Sequence, residues 1–256
     1  MSTFLNGEEF GLQVARGKVR NASSINKFGF NDTVGTSFEV IAAGSSNFTY
    51  PTTAAVASVV STDVNDDDGD TGARTLSIQG LDGDYNEITE TVTLNGTSAV
   101  TTTATFLRVF RARVETAGSS SGAEGVITVT VGGNELARLD PQYDNQTLQA
   151  AYTVPAGKKA YLYRIQATST KDNKAAMVGL FTRSSDADSV FTVRQLVEVF
   201  RNNVVVDFPF PIEIPEKTDI ELRGKNLDAG GVSIGGTFDL LLVDDNTFTE
   251  TPDPTA

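Results

Sequence analysis

Short runs that alternate apolar and polar residues recur along the whole chain. "TLSIQG" (75–80) places Leu76 and Ile78 on one face, and "GVITVTVGG" (125–133) places Ile127, Val129 and Val131 together. "EITETVTL" (87–94) sets Ile88, Val92 and Leu94 against Thr89, Thr91 and Thr93, with Glu90 interrupting the apolar face. "AYLYRIQAT" (160–168) aligns Tyr161, Tyr163, Ile165 and Ala167, and "TDIELRG" (218–224) buries Ile220 and Leu222. Period-2 segments rich in Thr, Val, Ile and aromatic residues suit half-buried pleated strands. Turn chemistry separates them: Asp82-Gly83, Asn95-Gly96, Gly132-Gly133 and the Pro155 to Gly157 stretch. Strands this short and this regularly spaced indicate sandwiches or jelly rolls rather than βαβ units.

One stretch is ambiguous. "SVFTVRQLVEVF" (189–200) admits a helical stripe of Val190, Val193, Val197 and Phe200. Its β-branched content and the "NNVVVDF" that follows Arg201 favour two strands joined at Asn202-Asn203.

The cluster "LDPQYDNQT" (139–147) marks a boundary between apolar runs. The expected organisation is all-β: two antiparallel β-sandwich or jelly-roll-like domains, at 30–140 and 147–245. An extended N-terminal arm (1–29) carries Phe4, Leu5, Phe10 and Leu12, and a Pro- and Thr-rich tail covers 246–256.

Composition narrows the chemistry. The 256 residues contain no Cys and no His, which excludes disulfides, thiol nucleophiles, Cys-ligated zinc, Ser-His-acid triads and HExxH zinc sites. A net charge of −13 disfavours nucleic acid as a partner. No run reaches the length of a membrane span, and no secretory leader pattern is visible, so synthesis in a host cytoplasm is expected. Arg111 and Arg113 alternate with Phe110, Ala112 and Val114 as the wet face of a strand; Arg108 falls out of phase, on the apolar side.

Three local patterns suggest chemistry. "NDDDGD" (65–70) approximates a calcium loop, but placing Gly69 at the sixth position puts Val64 first and Thr75 twelfth, so the EF-hand register fails. A looser site on Asp66, Asp68 and Asp70 is the remaining metal candidate; otherwise the four aspartates form a solvent-facing connection. "GSSSG" (118–122) matches a nucleophile elbow in letters only, since no His exists to take the serine proton. Two carboxylate groups, Asp82/Asp84/Glu87/Glu90 and Glu213/Glu216/Asp219/Glu221, are the main acid/base option for glycan hydrolysis, with Asp84 and Glu87 as the residues to test. Five N-x-[ST] sequons, at Asn21, Asn31, Asn47, Asn95 and Asn145, carry little meaning in a chain so rich in Ser and Thr.

"DFPFPIEIPEKTDIEL" (207–222) is more telling. Pro209, Pro211 and Pro215 cannot donate to a ladder, so the stretch is an edge strand or a sheet corner. Phe208, Pro209 and Phe210 then form either a contact surface for another subunit or part of the core.

Three stretches resemble virion structural proteins of tailed bacteriophages, marine ones especially. These are "EEFGLQVARGKVRNASSINKFGFNDTVGTSFEVI" (8–41), "TGARTLSIQGLDGDYNEITETVTLNGTSAVTTT" (71–103) and "IPEKTDIELRG" (214–224). The resemblance implies a non-enzymatic particle component of the capsid cement or decoration type, or a head-tail accessory. It implies location in the virion, contacts with the major capsid protein or other virion subunits, and a homo-oligomer, with a trimer expected. It implies no enzyme and carries over no functional residue; no cofactor, membrane or nucleic-acid partner is expected. The competing readings are a tail or fibre component that binds host surface glycans and, last, a carboxylate-based glycan hydrolase.

Overall fold

The computed structural model describes residues 7–44, 47–143, 145–169, 175–185, 189–200, 203–228 and 230–245. A short helix, α1 (Phe10–Ala15), precedes β1 (Ala22–Val34), β2 (Glu39–Val40), β3 (Ala55–Ser61), β4 (Ala73–Leu81), β5 (Glu87–Thr93), β6 (Val100–Phe106), β7 (Arg108–Ala117), β8 (Ile127–Val131) and β9 (Asn134–Leu139). A 3-10 turn at Pro141–Tyr143 leads to β10 (Ala151–Thr153), β11 (Lys158–Ser169), β12 (Ala175–Ser184), β13 (Thr192–Phe200), β14 (Asn203–Ile214), β15 (Thr218–Asn226) and β16 (Val232–Asp244). The chain is all-β, and its antiparallel sheets form sandwich-like arrangements.

One sandwich faces β6-β3-β8-β9 against β5-β4-β7. Its core holds Val59, Leu76, Ile78, Phe106, Ile127 and Leu136, all buried. Each such side chain contributes about 1.5–3 kcal/mol on burial. Glu90, the residue that breaks the alternation of β5, is accounted for by its bonds: its carboxylate accepts from the Thr103 and Ala104 N–H groups, both at 2.7 Å. It thereby ties β5 to β6 where the two sheets meet.

The other sandwich faces β1-β16-β11-β14 against β10-β15-β12-β13, with β2 added beside β15. Phe238, Leu240, Leu162, Leu180, Ile220 and Leu222 fill it. The strict alternation of β16 sends Val232, Ile234, Phe238, Leu240 and Leu242 inward.

The N-terminal segment departs from the sequence reading. Residues 10–15 are helical, and 22–34, assigned above to the end of an arm and the start of the first domain, form β1 beside β16 in the second sandwich. The contiguous stretch β3 to β9 is therefore inserted between β2 and β10. The physical reason is an inverted face. The inward positions of β1 are Lys27, Gly29 and Asn31, whereas Phe28 and Phe30 are only half-buried. Gly29 is required: a Cβ there would lie 1.9 Å from the Ile41 carbonyl oxygen. Asn31 donates to the Val40 carbonyl at 3.2 Å and accepts from the Thr33 N–H at 3.0 Å.

Three local readings are settled by register. Residues 192–200 and 203–214 are strands rather than a helix, while Arg201 and Asn202 lie outside the described residues. A bulge between Leu162 and Arg164 resets the phase of β11, so Ala160 and Leu162 face inward before it, Ile165 and Ala167 after it, and Tyr161 and Tyr163 do not. The turn at Asp82-Gly83 is a five-residue loop and not a two-residue hairpin. Its left-handed residue is Tyr85, at φ 65°, and the Asp82 carboxylate accepts from the Asp84 and Asn86 N–H groups.

Candidate interaction surface and the seam between the sandwiches

The acidic turn is held by one aspartate, and that aspartate is buried. Asp66 accepts from Ser61 Oγ at 2.5 Å and from the backbone N–H groups of Ala73, Glu124 and Gly125 at 2.8, 2.9 and 2.9 Å. Four donors satisfy both oxygens. Asp68 and Asp70 stay exposed. The solvent-facing reading thus fits Asp68 and Asp70 and fails for Asp66, a hub joining three segments of the first sandwich. Among the described residues no group of three or more carboxylates is placed to hold a metal ion.

The two carboxylate groups considered for hydrolysis are dispersed. Asp82 organises a turn and Glu90 ties β6, as described above. In the second group, Glu213 and Glu216 are exposed, while Asp219 and Glu221 are buried. Strand β15 alternates these acids with Ile220 and Leu222, so the hydrophobic residues enter the second core and the acids face the first sandwich.

That acidic face meets arginines. Arg108 of β7 reaches across to Asp219, Nε to Oδ1 at 2.8 Å and the terminal nitrogen to Oδ2 at 3.2 Å. Arg183 of β12 donates to Oδ2 at 2.6 Å, and Thr153 Oγ1 to Oδ1 at 2.7 Å. Glu221 accepts from Tyr50 Oη at 2.8 Å and from Arg223 Nε at 2.6 Å. The guanidinium groups lie over rings: Arg108 is 4.5 Å from the Tyr50 centroid, Arg183 4.8 Å and Arg223 4.1 Å from that of Phe191. Burial disfavours the Arg108 charge, but the hydrogen bond and charge of Asp219 outweigh it and its pKa rises. Burial, with the nearby Glu221 and Asp219 charges, pushes the Tyr50 phenol well up. Burial also raises Glu221, partly offset by Arg223 and Tyr50. These acids are consumed by fixed partners and cannot serve as a free acid/base pair; the cluster is a lock between the sandwiches. The sequence held a signal for it. An arginine on the apolar side of β7 needs a buried acid, and "TDIELRG" supplies two at alternate positions.

A second kind of surface is apolar. Consecutive strands β13 and β14 are the edges of the two opposing sheets, so the sandwich is open on that side. Val193, Leu196 and Phe200 on β13, and Val205 and Phe210 on β14, are exposed. The Phe-Pro-Phe-Pro segment leaves the ladder: Leu162 pairs with Ile212, but Arg164 pairs with Asp207. Within this excursion Phe208 turns back to pack against the core, Pro209 is exposed, and Phe210 is 90% exposed. The two rings are thus separated, Phe208 against the core and Phe210 in solvent.

On the outer face of the same sheet, α1 packs against β1. Glu9 caps it by accepting from the Leu12 N–H at 3.0 Å. Phe10 and Tyr163 line a groove of about 250 Å³ between helix and sheet, and Leu12 is exposed beside it. Tyr163 is also the residue at the β11 bulge, opposite the Phe210 excursion. Phe4 and Leu5 lie outside the described residues.

No protein-family model matches the sequence, and no curated protein matches it. Among solved structures, the infectious bursal disease virus Gt strain structure matches at 8% identity and a TM-score of 0.25, covering 90% of this chain and 72% of that one. The crystal structure of the infectious bursal disease virus VP2 subviral particle matches at 10% identity and a TM-score of 0.24, covering 90% and 74%. The chain is weakly similar in structure to these viral proteins, and TM-scores of this size carry no argument about function.

Proposed function

We propose that the chain is a non-enzymatic structural subunit of a tailed-bacteriophage virion, of the capsid cement or decoration type. The observation that carries this reading is the open side of the second sandwich, where two edge strands present Val193, Leu196, Phe200, Val205 and Phe210. Edge strands offer unpaired backbone groups, and apolar side chains beside them supply contact area for another chain. In this reading the partners are other virion subunits, the major capsid protein or further copies of this chain. The seam adds to the case, because a shell component gains from two domains held as one body. The phrase-level resemblance in 8–41, 71–103 and 214–224 supplies the particle context. Fixed partners on Asp219, Glu221 and Glu90 argue against carboxylate catalysis.

The test is reconstitution. Particles lacking this protein, mixed with the purified chain, should bind it in a fixed ratio and release DNA at a higher temperature. The Phe210→Ser chain should bind more weakly. Imaging of whole particles should place the density on the head. Density at the tail tip, or saturable binding of the purified chain to host cells, would replace this reading with a tail or fibre role.

A further inference from the structure

A strand at the border of a sheet exposes a row of unpaired N–H and C=O groups, and folded chains blunt such borders. Several borders of this chain are blunted. β10 is only three residues long. β6 gives the Thr103 and Ala104 N–H groups to the Glu90 carboxylate. β7 is covered by residues 145–147: the Val114 N–H donates to the Asn145 carbonyl, and the Thr147 N–H to the Ala112 carbonyl. β14 carries Pro209 and Pro211 and leaves its ladder between Asp207 and Ile212. β13 differs. It borders the β10-β15-β12-β13 sheet with nine residues that include no proline and no lysine. Among the described residues, 193–199 make no backbone–backbone hydrogen bond outside the ladder with β12. Val193, Leu196 and Phe200 are exposed along it.

The charges on this strand indicate what covers it. Arg194 and Glu198 are both exposed, and among the described residues neither takes part in an ion pair. Four residues apart on one strand, they are separated by about 13 Å and cannot neutralise each other. Antiparallel pairing with a second copy brings them together. With a two-fold axis at Leu196, position 194 of each copy stands opposite 198 of the other, 195 stands opposite 197, and Leu196 meets its own copy. Opposite charges then face each other, and the symmetry makes the pair twice. Moving the axis by one residue destroys the match. At Val197 it sets Glu198 against Leu196, and at Gln195 it sets Arg194 against Leu196. At Glu198 it sets that carboxylate against its own copy. We propose that β13 is the interface of a homodimer, in which two copies join their sheets antiparallel about Leu196.

The bulge in β13 sets the length of the join. Leu180 pairs with Gln195 and Phe181 with Val193, which leaves Arg194 without a counterpart on β12. A bulge terminates regular pairing and re-aims the side chain. The shared ladder therefore runs from 194 to 198 and is closed at both ends by an Arg194–Glu198 pair. Side chains complete the contact: Leu196 lies on the axis, and the exposed Val205 and Phe210 of β14 line the same open side. The dimer rests on the reading of that side as a contact surface. Its occupant is a second copy, with two-fold symmetry in place of the trimer that the resemblance implies.

Sedimentation velocity of the full-length chain over a range of concentrations tests the dimer. A reversible species of twice 27.2 kDa is expected. Arg194→Glu and Glu198→Arg each set like charges opposite one another and should weaken dimerisation at least tenfold. Both side chains are exposed, so far-UV circular dichroism should show the fold unchanged. The double variant restores complementarity with reversed sign and should recover wild-type affinity. The two single variants, mixed, should associate one to one although neither pairs with itself. Register is read by cross-linking. The chain contains no cysteine, so Leu196→Cys introduces a single thiol, and oxidation with diamide should give a covalent dimer. Glu198→Cys should not, because its copy lies beyond disulfide reach. A chain that stays monomeric, a trimer, single-charge variants that dimerise like the wild type, or a double variant that fails to recover would overturn the proposal. A monomer that binds particles through β13 refutes the homodimer, makes a strand of another virion subunit the occupant, and leaves the particle reading standing. A dimer that meets these tests yet binds no particles supports the homodimer and refutes the particle reading.

Discussion

Replacing Arg108 with Met removes the side chain with which β7 grips Asp219 of β15. Arg108 is 5% exposed and Asp219 1%. The substitution deletes two hydrogen bonds to Asp219 and two more, at 3.1 and 2.9 Å, to the carbonyls of Pro51 and Leu107. Breaking a buried ion pair from one side costs about 3–5 kcal/mol, because the remaining charge stays buried without its partner. Here Asp219 keeps Arg183 at 2.6 Å and Thr153 at 2.7 Å. Methionine also recovers part of the packing of the arginine stem. The loss should therefore fall at the lower end, about 3 kcal/mol. For a chain of this size the urea slope is about 3 kcal/mol/M, so the midpoint should drop by about 1 M. Asp219→Ala should cost more, since it strands two arginines at once. Equilibrium urea unfolding followed by far-UV circular dichroism measures both. A midpoint shift below about 0.3 M for Arg108→Met, or Asp219→Ala proving the milder change, would refute the lock.

Other consequences can be checked separately. Asp66→Ala leaves four donors without an acceptor and should lower stability by about 3 kcal/mol or more, while millimolar calcium leaves the wild-type melting temperature unchanged; both are read by thermal unfolding. Phe210→Ser alters a ring that is 90% exposed, so unfolding should change by under about 0.5 kcal/mol while sedimentation shows weaker association. Tyr50 and Tyr152 have raised folded-state pKa values, so the stability they contribute is full below pH 10 and lost as pH climbs through the folded values. Of the six tyrosines, these two should ionise only as the protein unfolds, seen as a late step in absorbance at 295 nm.

The strands with clean alternation could be read from the chain: β4, β8 and β15 present their apolar residues as the letters suggest. Elements whose inward positions are not apolar could not. β1 faces the interior with Lys27, Gly29 and Asn31, a pattern that looks like an arm until Ile41 and Val40 are in place. β11 misleads because a bulge switches its phase midway, and a bulge is a property of pairing with β14 and β16. The seam was half visible: Arg108 was out of step, and Asp219 and Glu221 stood among hydrophobic residues. Only topology brings positions separated by 111 residues together. Asp66 hid among four similar aspartates, because its burial depends on N–H groups from residues 124 and 125.

The pairing of β1 with β16 also sets an order of events during synthesis. Asn26 and Asp239, bonded in the finished sheet, are 213 residues apart in sequence. At about 5–20 residues per second a ribosome needs roughly ten to forty seconds to supply the second after the first. Over that interval β1 has no partner on the β16 side, while the inserted sandwich can already close on contacts within its own stretch. A nascent strand kept waiting is a hazard for pairing with the wrong neighbour, and an inward-pointing charge is a known deterrent. Lys27, costly in the finished interior, is an inward-pointing charge of that kind on the strand that waits.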